Sequence, residues 1–349
     1  METHLHDLAV RQASIMPVSV IVANTARGSE RAVIEGVRVI RVARVGTIAS
    51  MPVCPGLTNA IRRCPADLVH IHMPNPGAAF ALLQSGHKGK IVVTHHADTL
   101  GRKALRHLSD PFVRKVMGKA QAIIVTSKRY MEASEELKPW LHKCRIIPLG
   151  IDVQNHFSTP DALEIKNIHD SHGENIILAV GRLVPYKGFD VLIRAMKFVS
   201  GKLLLIGSGP QNYYLRELRD NEGLQDKIEL LGRVEDVVPY YRAARLFVLP
   251  SLTRAEAFGL VQIEAMAFGL PVVNTWLDSG VPEVSVNGIT GLTVPPGDPM
   301  ALAHAIESLL DDEAVRQRLA NAAKKRARAQ YTADYMAEQT MNLYREIIS

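Results

Sequence analysis

The stretch Glu256-Ala257-Phe258-Gly259-Leu260-Val261-Gln262-Ile263-Glu264-Ala265-Met266-Ala267-Phe268-Gly269-Leu270-Pro271 decides the reading of this chain. It follows an apolar run and a turn. Gly259–Phe268 predicts a helix that stops at Gly269, ahead of a Pro-Val-Val strand. Nearly every residue of that helix is apolar, so it should be buried on most sides. Glu256 and Glu264 sit in this setting. A carboxylate taken out of water costs several kcal/mol unless it is satisfied, a large share of a domain's stability. A nearby Lys or Arg is one solution. The other is a hydroxyl-rich ligand, held where a helix N-terminus also grips an anion.

Working outward, Leu246–Pro250 reads as the strand that delivers Ser251 and Glu256. Asn175–Val180 reads as another, followed by Gly181-Arg182-Leu183-Val184-Pro185-Tyr186-Lys187-Gly188. Two cations on one loop at a strand's carboxyl end suit a diphosphate, Arg as a fork and Lys as a point charge. Lys202–Ile206 leads into Gly207-Ser208-Gly209-Pro210, which fails as a dinucleotide fingerprint because Asn212 stands at its sixth position. Ile228–Leu231 precedes Gly232-Arg233-Val234. Three helical segments end the chain: Pro299–Leu310, Glu313–Gln330 and Asp334–Ile348.

In the first half, Val18–Ala23, Val37–Val42, Leu68–His72, Lys90–Thr94, Ala122–Thr126 and Arg145–Pro148 read as strands. Residues 1–12, Ala78–Gln84, Pro111–Lys119 and Lys128–Leu137 read as helices. Continuous apolar strands separated by helices predict a parallel sheet covered on both faces. Thr94-His95-His96-Ala97-Asp98 then lies beyond a strand's carboxyl end, where open α/β sheets bind ligands. Asp98 either orients an imidazole or caps the next helix. Arg102, Lys103 and Arg106 either read an acceptor's charge or form a solvated helix face.

The two glutamates with seven residues between them, around Phe-Gly-Leu-Val and followed by Ala-Met-Ala-x-Gly-x-Pro-Val-Val, resemble the signature of family 4 retaining glycosyltransferases. The Gly-Arg…Lys-Gly frame at 181–188 is similar to the same family, as are Gly280-Val281-Pro282-Glu283 and Pro295-Pro296-Gly297-Asp298. The resemblance implies an α/β architecture of the GT-B type, two doubly wound Rossmann-like domains facing a cleft. It implies an N-terminal acceptor-side domain at 1–152, a linker at 153–174 and a nucleotide-sugar-binding domain at 175–330. Residues 331–349 would form a helix packing back on the first domain.

By the same resemblance, His96 lies over the donor sugar and Glu256 contacts its hydroxyls. Arg182 and Lys187 neutralise the leaving diphosphate, and Glu264 binds the ribose. Phe258, Gly259 and Leu260 offer backbone N–H groups to the phosphates, Gly207 and Gly209 allow the backbone to approach the nucleotide, and Arg233 and Val234 seat the base. The expected activity is hexose transfer, with mannose suggested, from a nucleoside diphosphate sugar to a glycan or lipid-linked acceptor. No cofactor or metal is expected, since the cations do the work of a metal and no Asp-x-Asp pair occurs. The family's first strand and Gly-Gly loop have no counterpart before Glu2-Thr3-His4. Either the start is assigned too late, the favoured reading, or the chain has lost that central strand, which would leave two neighbouring strands with unpaired edges. The alternatives are a truncated, inactive nucleotide-binding protein and another GT-B enzyme such as a sugar-nucleotide epimerase.

Composition bounds the rest. The chain has 349 residues, 47% hydrophobic and 22% charged, enough for two cores. Cys54, Cys64 and Cys144 match no metal or redox spacing, which suits a reducing compartment. No signal peptide or membrane-length run is read, so a cytoplasmic location is expected. Residues 1–160 carry 21 Lys and Arg against 11 Asp and Glu. This basic half suits an anionic membrane surface at its inner face or an ordinary solvated surface. No nucleic-acid-binding motif accompanies it.

Overall fold

The computed structural model describes residues 2–48, 51–98, 103–152 and 162–349. It divides into two compact units. One comprises Met1–Gly150 with Ala333–Ser349, the other Ile151–Thr332. No helix among the described residues is long and apolar enough to cross a membrane.

The first unit holds strands β1 (Ser19–Ala23), β2 (Glu30–Ile34), β3 (Val37–Val42), β4 (Gly46–Ile48), β5 (Met51–Val53), β6 (Leu68–Met73), β7 (Lys90–His95), β8 (Ala122–Val125) and β9 (Cys144–Ile146). The last four form a parallel sheet in the order β6-β7-β8-β9. Its inner strands are apolar and buried along nearly their whole length. Ile71, Met73, Val93, Ile123 and Val125 pack with Val116, Met117 and Leu137 in one core.

The parallel α/β core expected for this unit is the β6–β9 sheet, and two smaller sheets accompany it. A separate sheet runs β1-β3-β2, with β2 antiparallel to β3, and β4–β5 is an antiparallel pair of its own. The β2–β3 turn is Glu35-Gly36, both at positive φ, the backbone that a two-residue hairpin requires. Strand β2 escapes a search for apolar runs because it is mostly exposed, with Val33 pointing to solvent. Among the described residues β1 pairs only with β3, and β6 only with β7.

Helix boundaries also move. The expected Pro111–Lys119 helix begins at Lys103 and runs through Pro111. The expected Lys128–Leu137 helix stops at Ala133, and a 3-10 turn follows over Lys138–Lys143. Arg102 and the side chains of Lys103 and Arg106, read above as acceptor contacts, lie outside the described residues.

The helix Glu2–Ala13 packs along Ala333–Ile348. Leu8 and Ala9 are buried with Met336, Met341 and Tyr344, and Arg11 Nε donates to Asp334 Oδ1 at 2.5 Å. The chain's last helix therefore belongs to the unit formed by its first 150 residues. The three cysteines are all free.

The second unit holds β10 (Ile176–Val180), β11 (Lys202–Ile206), β12 (Ile228–Gly232), β13 (Leu246–Leu249), β14 (Val272–Thr275) and β15 (Gly291–Val294). They form one all-parallel sheet in the order β12-β11-β10-β13-β14-β15. β10, β11, β13 and β14 are almost wholly buried, as expected for strands with both faces covered. The order runs outward from β10 to β12 on one side and from β13 to β15 on the other. The topological switch point thus lies between β10 and β13, where doubly wound sheets open a crevice at the strands' carboxyl ends. Residues 153–174, expected as a linker, include the helix Ala162–His172. Its residues are polar enough to read as a linker because none of them is fully buried.

Candidate functional site

The loops leaving β10 and β13 meet at the switch point. After β10 the chain passes Gly181 and Arg182 into a 3-10 turn at Pro185–Lys187, which Gly188 closes in the left-handed region at φ 68°. A side chain at Gly188 would strike the Pro250 carbonyl oxygen of the β13 loop. Leu252 N donates to Tyr186 O at 2.7 Å, joining the two loops by their backbones.

This contact sets the central pair. Lys187 Nζ lies 2.6 Å from Glu256 Oε2, and both side chains are about nine-tenths buried. Ser251 Oγ donates to the same carboxylate oxygen at 3.1 Å. Ser251 is fixed in turn, since its carbonyl accepts Thr275 Oγ1 at 2.5 Å from the end of β14. The stretch that decides the sequence reading therefore solves one buried glutamate with a lysine, and that lysine is the one predicted to hold a diphosphate. Arg182 is exposed on the same loop.

Glu264 is solved differently. It lies in the helix Leu260–Ala267 and accepts Tyr241 Oη–H at 2.8 Å. Burial, then the Glu264 charge, pushes the Tyr241 hydroxyl well above its ordinary pKa, so it stays a donor. Gly259 caps this helix in the left-handed region at φ 74°, with no side-chain cap. A helix start of this kind suits an anion. Phe258 is buried against Tyr331 with ring centroids 6.0 Å apart.

Gly207 and Gly209 follow β11. Their bare backbones serve the protein first. At Gly207, φ is 150°, and a Cβ there would lie 1.8 Å from the Gly181 carbonyl oxygen; at Gly209 one would lie 2.4 Å from that of Leu183. The close approach predicted for a nucleotide is already required by the neighbouring loop. Arg233, exposed, and Val234, half-buried, follow β12 at the same end of the sheet.

Sequence reasoning missed a buried amide network beneath this site. Gln262 Nε2 donates to the carbonyls of Phe258 and Val281 at 2.9 and 3.2 Å. Asn274 Nδ2 donates to Gln262 Oε1 and to the carbonyls of Val281 and Ser285. Both amides have no exposed surface and hold the Gly280–Val284 turn against the helix. A Gln and an Asn inside two apolar runs were the available signal, because buried amides need partners.

His96 belongs to the first unit. Its backbone N–H donates to Met73 O at 3.0 Å, and its Nε2 lies 2.9 Å from His72 Nδ1. His95 faces elsewhere. It is buried, with Nδ1 2.6 Å from Tyr130 Oη and Nε2 3.2 Å from Glu136 Oε2. Asp98 accepts from the Tyr130 hydroxyl at 3.2 Å and from Ser134 Oγ. Its link to an imidazole therefore runs through Tyr130.

Comparison with known proteins follows the same division of the chain. Residues 1–155 match the family model described as Glycosyltransferase Family 4, and residues 161–326 that described as Glycosyl transferases group 1. The chain is 27% identical over 284 residues to the O-antigen chain mannosyltransferase C of Escherichia coli, covering 81% of this chain and 76% of that protein. It is 29% identical to the phosphatidyl-myo-inositol mannosyltransferase of Mycobacterium leprae, covering 90% and 84%. In fold it is similar to sucrose-phosphate synthase from Thermosynechococcus elongatus (TM-score 0.79, 24% identity, 98% and 91% covered). The Anabaena protein HepE in complex with UDP-glucose gives a TM-score of 0.77 at 21% identity, with 99% and 95% covered.

Proposed function

Because the chain belongs to glycosyltransferase family 4, we propose that it transfers a hexose, mannose, from a nucleoside diphosphate sugar with retention of configuration. The acceptor is a hydroxyl of a glycan or lipid-linked sugar. The mannosyltransferases among its relatives support the sugar. A structural neighbour in complex with UDP-glucose supports the donor class.

The observation that carries the reading is the Lys187–Glu256 pair at the switch point. An arriving diphosphate draws the Lys187 ammonium, already desolvated, onto its oxygens, and Arg182 adds a second cation from the same loop. Glu256 then shares Lys187 and turns its other oxygen to hydroxyls of the sugar. Glu264 binds the ribose, and the uncapped helix start at Gly259 receives a phosphate. Gly207, Gly209, Arg233 and Val234 line the nucleotide.

In the reaction the bond from the anomeric carbon to the phosphate oxygen breaks, and the acceptor oxygen bonds to that carbon on the same face. The acceptor proton passes late to the departing phosphate. Fixed cations stabilise the charge that grows on the leaving group, and no metal takes part in this step. The basic first half holds the enzyme at an anionic membrane surface on the cytoplasmic side, near a lipid-linked acceptor.

Turnover with guanosine diphosphate mannose, read as nucleoside diphosphate released, should fall about a hundredfold or more in Lys187→Ala and in Arg182→Ala. Unchanged turnover in both variants overturns the assignment.

A further inference from the structure

Four imidazoles gather at the carboxyl ends of β6 and β7, and one of them is unsatisfied. His70 and His72 project from the same face of β6, and Thr94 and His96 from the facing side of β7. His70 uses both ring nitrogens: Nδ1 lies 2.5 Å from Tyr344 Oη, and Nε2 lies 2.6 Å from Thr94 Oγ1. His72 stacks on His96, with ring centroids 5.2 Å apart. His4, from the helix Glu2–Ala13, meets both edge-on at 5.6 and 5.4 Å. His4 is 7% exposed, and its Nδ1 is buried without any hydrogen-bond partner. An orphaned buried nitrogen of this kind is costly and calls for an explanation.

One nitrogen from each of His4, His72 and His96 lies within 4.8 Å of the other two. We propose that these three imidazoles form a site for a divalent transition-metal ion of the zinc class, with the fourth position left to water. Zinc–nitrogen bonds of about 2.0–2.1 Å in a tetrahedron place the ligand atoms roughly 3.3 Å apart. The His72 Nδ1–His96 Nε2 contact at 2.9 Å is already inside that spacing, and the ion would replace it. Imidazole ligands favour zinc, copper, nickel or cobalt over magnesium and calcium.

The rings are also in the ligating form. Burial, reinforced by the neighbouring imidazoles, lowers His4 to about 3 and His96 to about 2; burial lowers His72 to about 4. All three are neutral near pH 7, so a metal need displace no proton from them. The ion joins the helix Glu2–Ala13 to the ends of β6 and β7, a cross-link that hydrogen bonds alone do not supply to His4. The three ligands belong to the first unit, and none of them is a residue proposed to hold the diphosphate.

The test uses the full chain, expressed without a histidine tag, stripped by chelator and titrated with cobalt(II). One ion should bind per chain with the intense visible bands of tetrahedral cobalt, and zinc should displace it. His4→Ala and His72→Ala should each lose the stoichiometric ion, and His304→Ala, an exposed histidine in the second unit, should keep it. Zinc should raise the melting temperature of the wild type and leave that of His4→Asn unchanged. Weak octahedral cobalt bands in the wild type overturn the proposal whatever the variants do. So does stoichiometric binding that survives in folded His4→Ala and His72→Ala.

Discussion

The two units bury polar groups at the carboxyl ends of their parallel strands in opposite ways. In the second unit, opposite charges meet: Lys187 and Glu256 form a desolvated ion pair between the loops of β10 and β13. In the first unit, like groups meet. Four imidazoles crowd the ends of β6 and β7, and burial keeps them uncharged. A charge pair of the first kind is ready to be shared with a charged ligand. A neutral cluster of the second kind is ready for a Lewis acid, and it resists protons. The difference follows from the sheets. The second unit has one continuous sheet with a switch point at its centre, whereas β6 stands at the edge of a four-stranded sheet, where a helix from residue 2 onward brings a further imidazole.

The contrast can be broken by removing charge from the second unit. Glu256→Ala leaves the Lys187 ammonium buried and unpaired, and should cost about 3–5 kcal/mol in denaturant unfolding. The double variant Lys187→Met with Glu256→Leu should recover most of that stability and none of the turnover. If Glu256→Ala unfolds like the wild type, the pair is not desolvated as described.

It can be sharpened with pH. His4, His72 and His96 have folded pKa values below their ordinary value near 6.5, so the unfolded chain binds more protons as the solution turns acidic. In the metal-free chain their stability contribution is complete above pH 6.5 and is lost as pH falls through about 4 for His72, about 3 for His4 and about 2 for His96. Each such group contributes a slope approaching 1.4 kcal/mol per pH unit within that window. Amide exchange, corrected for intrinsic rates, should therefore quicken in β6 and β7 between pH 7 and pH 5. Strands β10 and β13 should change much less. Equal acceleration in both sheets would remove the contrast.

The smallest effect is expected at Tyr241→Phe. The variant removes the donor to Glu264 and should cost about 1–2 kcal/mol. A Glu264 that binds ribose should also show a weaker nucleotide affinity in this variant, with turnover at saturation little changed. Unaltered affinity would assign Glu264 to structure alone.

Much of the second unit was legible in the chain. Its continuous apolar strands, the Gly181–Gly188 turn and the helix ended by Gly269 all carry local signals, because burial on both faces and positive φ restrict residue type. Less of the first unit was legible. Strand β2 is exposed and charged, and the antiparallel pair β4–β5 is too short to show a period. The helix Ala162–His172 was hidden because it buries no residue fully.

By itself, the sequence determined the succession of strands and loops, the family, and which residue types stand at strand ends. Tertiary structure alone decided what those residues touch. Lys187 reaches Glu256 because strand order sets β10 beside β13. Gly207 is bare because the Gly181 carbonyl passes against it. His4, His72 and His96 converge because one helix and two strand ends share a face. Periodicity reports which side of an element is buried. It carries no information about which distant side chain will be waiting there.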